Sequence, residues 1–247
     1  MDYGELALVL VAVAVAFFVK GLTGIGGPLF AVPVLAPSMG VEAAVAVITI
    51  PTLVANFWLL WQHHAAAGSV RRYLAPLLVA GTVGIVLGVW LLVSVDERWL
   101  SLAVALIVIV YIIWYLTNPT FQLSERAAQR LAAPVGLVSG GLQGATGISA
   151  PVLATYLHSL KLPRTSFIIA VTIPFTVLGA VQMASLAAVG AYDSELLIAG
   201  VVAIIPAMIA LPLGSRVGER VSQRTFQILV LVLLGATAAR LLWSVFA

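Results

Sequence analysis

The sequence predicts an all-α integral membrane protein built from two inverted-topology repeats, each with a broken re-entrant helical hairpin and three transmembrane helices. Apolar residues make up 62% of the sequence and charged residues 9%, whereas an average soluble domain has about 25% charged residues. Seven or eight apolar stretches are long enough to cross a bilayer core, which takes about 20 residues. A glycine-rich segment and a Thr-Ile-Pro segment each occur twice, which predicts the repeat.

The two copies of each repeated segment lie at nearly the same distance along the chain. Six of eleven positions are identical in the glycine-rich segment, and most of the others exchange similar residues. The matches, 123 residues apart in the first two cases and 126 in the third, are 21–31 with 144–154, 49–51 with 172–174, and Gly88 with Gly214. We therefore predict one transmembrane domain over residues 1–247, with repeats over residues 1–120 and 124–247.

Each half is predicted to begin with an apolar helix that runs into the glycine-rich break, over residues 6–20 and 127–142. A shorter helix follows the break, over residues 27–35 and 150–157. It has a proline in its first turn, where a missing N–H leaves no hydrogen bond unmade. Three longer helices complete each half. Their predicted bounds are 43–62, 73–94 and 99–116 in the first half, and 165–188, 195–213 and 225–245 in the second.

The distribution of charge predicts how the two halves face. If each broken element enters the membrane and returns to the same side, each half crosses three times and the second half is inverted. The basic loop residues then share one face, and that face is cytoplasmic by the positive-inside rule. They are Arg71, Arg72, Arg126, Arg130, Lys161, Arg164, Arg216, Arg220 and Arg224. We predict a multi-pass protein of the cell (inner or plasma) membrane with both termini outside the cytoplasm. A hairpin that spans most of the bilayer fits the charges equally well.

The broken hairpins predict a binding site. Irregular backbone at membrane depth is tolerated where it lines a cavity, and inverted repeats with broken elements near the midplane are typical of secondary transporters. Two helix N-termini that converge there bring two positive dipole ends together, which favours an anion. Lys20 comes directly before the first tip, where the second copy has Gln143. Its amine either adds a positive charge to the site or extends to the membrane interface.

The predicted substrate-binding residues are those of the two tips and the polar positions next to them. The Thr-Ile-Pro threonines either offer their hydroxyls to a substrate or bond back to their own helix. Asn56 and Gln182 are buried in apolar runs and either contact a substrate or bond to a neighbouring helix. The predicted set is Lys20, Thr23, Gly24, Ile25, Gly26, Gly27, Thr49, Asn56, Gln143, Thr146, Gly147, Ile148, Ser149, Ala150 and Thr172.

The sequence favours transport over catalysis. No Asp or Glu falls inside a predicted span, so a proton relay or a carboxylate site for a cation is not indicated, although backbone carbonyls remain candidate ligands for Na⁺. An anion that leaves a cell with a negative interior gains about 2.3 kcal/mol per charge per 100 mV, so export needs no coupling ion. We predict no catalytic residue, metal or cofactor. The expected partners are a small anion and the lipid bilayer, without nucleic acid, and the oligomeric state is left open.

The paired segments Gly-x-Thr-Gly-Ile-[Gly/Ser]-[Gly/Ala]-Pro, at residues 21–28 and 144–151, resemble those of the sulfite exporter TauE/SafE family. Gly214-Ser215-Arg216 and the span after it are also similar to the C-terminal end of that family. The resemblance covers essentially the whole chain. It implies a secondary transporter or exporter of sulfite or of an organosulfonate such as sulfoacetate. An anion channel of the same fold is the alternative. The second copy departs from the first at Ser149 and Ala150, which predicts an asymmetric site.

Overall fold

The computed structural model describes residues 3–23, 27–63, 71–117, 123–160 and 164–218, together with positions 239 and 243. The described ranges fold into α-helices joined by short turns, without strands. The helices are α1 (Tyr3–Thr23), α2 (Gly27–Met39), α3 (Val41–His63), α4 (Arg71–Ser94), α5 (Glu97–Thr117), α6 (Glu125–Thr146), α7 (Ala150–Ser159), α8 (Arg164–Ala188), α9 (Ser194–Val202) and α10 (Ile204–Gly218).

The predicted helices that fall on described residues are present, but several are longer than predicted and one is divided. The helices before the breaks, α1 and α6, have 21 and 22 residues, α2 extends to Met39, and α10 extends to Gly218. The predicted span 195–213 consists of two consecutive helices, α9 and α10, with a turn at Ala203 between them. Pro206 explains the turn, because its ring has no N–H to donate and clashes with the carbonyl four residues earlier. The predicted span 225–245 lies outside the described ranges.

The described helices form a multi-pass membrane bundle. Five stretches are long and apolar enough to cross a bilayer, and α2 and the Arg98–Trp114 part of α5 are apolar but shorter. Large apolar side chains cover the outside of the bundle, an arrangement that lipid solvates and that a soluble monomer rarely shows. The five stretches are Gly4–Leu22, Val41–Gln62, Leu74–Ser94, Ile169–Ala188 and Ser194–Gly218. Examples of the outward-facing side chains are Val79, Trp90, Val110, Ile198 and Ile209.

Glycines bring α4 and α6 into backbone contact. A Cβ added to Gly140 would lie 2.1 Å from the carbonyl oxygen of Gly81, so no side chain fits there. Such close approach through small residues spaced four apart is a common way to pack helices in a membrane. Along the crossing, the residue numbers of the contacting pairs increase in both helices, so α4 and α6 run parallel. Successive contacts pair Gly136 with Leu77, Gly140 with Gly81, and Gly144 with Gly88.

A second glycine crossing joins α1 to α10. A Cβ added to Gly21 would lie 3.0 Å from the Cα of Gly214, and the Ser215 hydroxyl donates to the Gly21 carbonyl at 3.2 Å. In the sequence alignment Gly21 is equivalent to Gly144, and Gly214 is equivalent to Gly88. Each crossing therefore pairs a glycine of the first half with a glycine of the second half. The two glycines that meet in one crossing are the repeat equivalents of the two that meet in the other.

The break between α6 and α7 follows the chemistry of its residues. Gly147 ends α6 with a φ of +73°, a left-handed conformation that a side chain disfavours, and its N–H donates to the Gln143 carbonyl. The Thr146 hydroxyl accepts a hydrogen bond from the Ile148 N–H at 3.3 Å, and α7 begins at Ala150. The sequence predicted this interruption.

After the break, the chain returns toward the start of α6. The Tyr156 hydroxyl, near the end of α7, donates to the carbonyl of Ala128 in the first turns of α6 at 2.8 Å. The backbone N–H of Leu123 bonds to the Ser159 carbonyl at 3.4 Å. The end of α7 and the beginning of α6 are therefore neighbours. In the first half, residues 24–26 lie outside the described ranges, and α2 packs against α1.

Candidate substrate-binding site

A pocket lies among the helices that flank the two breaks. About 510 Å³ of space between its lining residues is free of protein atoms, and this volume includes the open solvent at its mouth. Helices α1, α2, α3, α6, α7 and α8 all contribute to its lining. The polar lining residues are Lys20, Thr49, Thr52, Gln143, Ser149 and Gln182. The remaining lining is Pro28, Leu29, Val32, Val45, Ile48, Gly147, Ile148, Ala150, Phe175 and Gly179.

The N-terminal ends of two helices meet this pocket. Pro28 and Leu29, in the first turn of α2, line it on one side. Ala150, the first residue of α7, and the preceding Ser149 line it on another. The first N–H groups of a helix have no partner within the helix, and the helix dipole places partial positive charge there. Both helix starts therefore favour negative charge in the same pocket.

Lys20 is enclosed in the bundle rather than extended to its surface. Its side chain is 2% exposed, and its amine donates to the Asn56 side-chain oxygen of α3 at 2.5 Å. The amine also lies 5.6 Å from the centre of the Phe17 ring, within the range of a cation–π contact. Among the described residues that line the pocket, Lys20 alone has an ionisable side chain. The side chain therefore lines the pocket and does not extend to the outside of the bundle.

Asn56 bonds across to α1, as one of its two interpretations predicted, but only one end of its amide is used. The nitrogen Nδ2 is buried without a hydrogen-bond partner in the described part of the chain. The Thr52 hydroxyl, one turn earlier on α3, is also buried and has no hydrogen-bond partner among the described residues. We call the Asn56 amide nitrogen, the Thr52 hydroxyl and the Lys20 amine of α1 the α3 donor cluster, because the first two belong to α3.

The second half carries a neutral and fully connected set of polar groups at the corresponding place. Ser149 donates to the Gln143 side-chain oxygen at 2.7 Å, and the Gln143 amide nitrogen donates to the Gln182 side-chain oxygen at 3.2 Å. The Gln182 amide nitrogen donates in turn to the Gln143 carbonyl at 2.7 Å. We call these three residues the glutamine cluster. Gln182 thus adopts the inter-helix bond that was one of its two interpretations.

Two threonines of the predicted set, Thr49 and Thr146, bond to their own helices. The Thr49 hydroxyl lines the pocket but donates to the Val45 carbonyl, and the Thr146 hydroxyl donates to the Leu142 carbonyl. Thr172 is buried in α8 away from the pocket lining. The described residues of the set that line the pocket are Lys20, Thr49, Gln143, Gly147, Ile148, Ser149 and Ala150. The described part of the chain does not include Gly24, Ile25, Gly26 or the side chain of Thr23. Gly27 begins α2 directly before the lining residue Pro28.

The sequence did not single out Thr52, Phe175 or Gly179 as lining residues. Thr52 follows the repeated Thr-Ile-Pro segment, but its equivalent in the second half is Phe175. Gly179 is the equivalent of Asn56. A search for polar positions shared by both halves misses these residues because each has a partner of different chemistry. Their closeness to the repeated prolines is the signal that points to them.

The described helices thus form a bundle with an apolar outside and a pocket lined by one lysine and two helix starts. No curated protein and no solved structure is significantly similar to the chain. The sequence profile of a protein family, described as sulfite exporter TauE/SafE, matches residues 8–241. The chain therefore belongs to the TauE/SafE family of membrane transporters, as its paired glycine-rich segments predicted.

Proposed function

We propose that this chain exports a small anion, sulfite or an organosulfonate such as sulfoacetate, by alternating access around its two helix breaks. The observation that carries the proposal is that Lys20 and the N-terminal ends of α2 and α7 meet at one pocket. Each of these features attracts negative charge, and none of the described lining residues is acidic. The family supports the sulfur chemistry of the substrate.

The electrostatics of the pocket suit a weakly held anion. A hydrogen bond from a charged donor contributes about 1.5–3 kcal/mol, and each helix start adds about 0.3–1 kcal/mol. The anion must lose part of its hydration shell to enter, which offsets much of this gain. A transporter needs this balance, because its substrate has to leave the pocket as well as enter it.

The contacts between the halves support inverted repeats with re-entrant hairpins. The end of α7 lies beside the start of α6, which is the path of a chain that enters a membrane and leaves it on the same side. The equivalent glycines exchanged between the crossings α1–α10 and α4–α6 fit an internal two-fold axis. The axis lies in the membrane plane if the basic loops share one side. In this proposal, movement of one half against the other opens the pocket to alternate sides.

The membrane potential gives the proposed direction of transport, because the interior of the cell is negative whichever way the protein faces. With the basic loops in the cytoplasm, both termini lie outside the cytoplasm. The membrane potential then drives a bound anion outward with about 2.3 kcal/mol per charge per 100 mV. The proposal therefore requires no coupling ion, in keeping with a pocket whose described lining has no carboxylate.

Flux in reconstituted liposomes tests the proposed function. We expect purified protein in liposomes loaded with sulfite to release it at a rate that saturates as the internal concentration rises, and faster when the inside is made negative. Saturation is expected because each transport cycle carries a bound anion. A rate that rises in proportion to concentration, with unitary currents, would instead identify an anion channel. No release of sulfite, sulfoacetate or a simple sulfonate above protein-free liposomes would contradict the proposal.

A further inference from the structure

Two buried donors beside Lys20 have no hydrogen-bond partner within the described residues. They are the Thr52 hydroxyl and the Asn56 amide nitrogen, four residues apart and therefore on the same face of α3. Thr52 is 9% exposed and Asn56 is 1% exposed. Buried polar groups in native proteins almost always have a partner, and one left without a partner is destabilising. A bound ligand with acceptor atoms would supply the missing partner.

The orientation of the Asn56 amide follows from Lys20. In its charged form, the Lys20 amine only donates hydrogen bonds, so Asn56 must turn its oxygen toward the amine and its NH₂ group away. Hydrogen-bonding chemistry therefore fixes which end of the Asn56 amide is the oxygen and which is the NH₂ group. The Thr52 hydroxyl differs from that of Thr49, whose proton goes to the Val45 carbonyl. The Thr52 proton has no such acceptor among the described residues.

We infer that Lys20, Thr52 and Asn56 hold the oxygen atoms of a sulfonate or sulfite head group, and that Thr52 determines affinity for that group. The inference rests on the proposed function and deepens it. Lys20 and Thr52 both line the pocket, and Asn56 is bonded to Lys20. The glutamine cluster has no comparable unpaired donor among the described residues, because each of its side chains already bonds to another member. The head group therefore lies on the α3 side.

The charges of the pocket also limit the rest of the ligand. Lys20 and the two helix starts are all positive, and none of the lining residues in the described chain is Asp or Glu. An ammonium group on the ligand would be repelled and left without a counter-charge. Beyond these donors and the neutral glutamine cluster, the lining is mainly apolar, with Leu29, Val32 and Phe175. The ligand class is a sulfonate with a short apolar tail, and aminosulfonates are excluded.

Two sulfonates with the same two-carbon chain test this exclusion. Ethanesulfonate and taurine differ only in the ammonium group that taurine carries at the end of its tail. We expect the detergent-purified full chain, titrated in a calorimeter, to bind ethanesulfonate at least about tenfold more tightly than taurine, because the ammonium loses its hydration without gaining a partner. Equal affinity for the two would overturn the exclusion of aminosulfonates.

A matched pair of threonine variants tests the role of Thr52. Thr52→Val removes the hydroxyl at nearly constant volume, and we expect ethanesulfonate and sulfite affinity to fall by about tenfold, as for a lost hydrogen bond to a charged ligand. Thr176→Val is the control, because the Thr176 hydroxyl donates to the Thr172 carbonyl and lies outside the pocket lining. Its affinity should stay within about twofold of wild type. Thr52→Ser keeps a hydroxyl and should restore most of the affinity.

The outcomes separate this inference from the proposed function. Melting curves followed by circular dichroism check that each variant is folded before its binding is compared. Wild-type affinity in folded Thr52→Val would overturn the role of Thr52, while sulfite flux by the wild type would leave the proposed function in place. Binding of none of the anions by folded wild-type protein would overturn the proposed function and the inference together.

Discussion

Equivalent helices in the two halves present polar residues of different chemistry to the same pocket. Lys20 and Gln143 occupy matching positions in the last turns of α1 and α6, and each reaches to the helix with the repeated proline. Lys20 meets Asn56, whose equivalent is Gly179. Gln143 meets Gln182 about one turn further along α8. The first half carries charge and unused donors, whereas the second is neutral and connected. The comparison teaches that the two copies of a duplicated fold can keep the same helices while their polar groups diverge, and the proposed function assigns binding to the first copy.

The largest expected effect comes from making the first half like the second. Lys20→Gln places in α1 the residue that α6 has, and it removes the positive charge from the pocket. We expect sulfite affinity to fall by about 10- to 150-fold, which corresponds to the 1.5–3 kcal/mol of a charged hydrogen bond. Calorimetric titration of the purified protein measures the change. Unaltered affinity in a folded variant would show that the α3 donor cluster does not bind the anion.

Glycine substitutions test the two helix crossings, α4–α6 and α1–α10, which are a feature that the halves share. Gly140→Ala would place a Cβ 2.1 Å from the Gly81 carbonyl, and Gly214→Ala would place one 2.0 Å from the Phe18 carbonyl. Each should destabilise the fold by about 1–3 kcal/mol, as overpacking does. Gly141→Ala is the control in α6, because its nearest atom lies 3.8 Å away. Thermal melting in detergent measures all three. Equal melting of Gly140→Ala and Gly141→Ala would argue against the crossing.

Breaking the glutamine cluster should affect stability more than binding. Gln182→Leu introduces the residue found at the equivalent position 59 and leaves the Gln143 amide nitrogen without its partner. Inter-helix hydrogen bonds in membranes contribute about 0.6–2 kcal/mol, so a loss of melting stability of that size is expected. Sulfite affinity should fall less than in Lys20→Gln. The reverse order of the two affinities would assign binding to the second half.

The smallest effect on stability is expected at Gly179, where the first half has Asn56. A Cβ added to Gly179 would lie 3.6 Å from Leu53, an ordinary contact, so Gly179→Ala should melt within about 0.5 kcal/mol of wild type. Because Gly179 lines the pocket, the added methyl group should weaken long alkanesulfonates more than methanesulfonate. Equal effects on both would place the ligand tail elsewhere.

The sequence alone predicts the helices and the break of the second half. Long apolar runs have few other stable structures in a membrane, and Gly147 with the following proline ends one helix and starts the next. The alignment of Gly88 with Gly214 likewise led to residues that form crossings. These features depend on local chemistry or on repetition, and both can be read along the chain.

The polar details of the pocket could not be predicted in the same way. The donors of Thr49 and Thr52 differ only in whether a carbonyl of α3 takes the proton, which depends on rotamers and packing. The bond between Gln143 and Gln182 joins helices 39 residues apart and has no signature in the sequence. The extra length of α1 and the turn at Ala203 were also missed, because helix ends in apolar runs carry weak signals.

Crystals soaked with selenite, the selenium analogue of sulfite, give the most direct test of the central claim that Lys20 and two helix starts share one anion site. The account predicts an anomalous-scattering peak within hydrogen-bond distance of the Lys20 amine and the Thr52 hydroxyl, between the starts of α2 and α7. A peak elsewhere in the bundle, or a map in which α1 and α2 form one uninterrupted crossing, would contradict it.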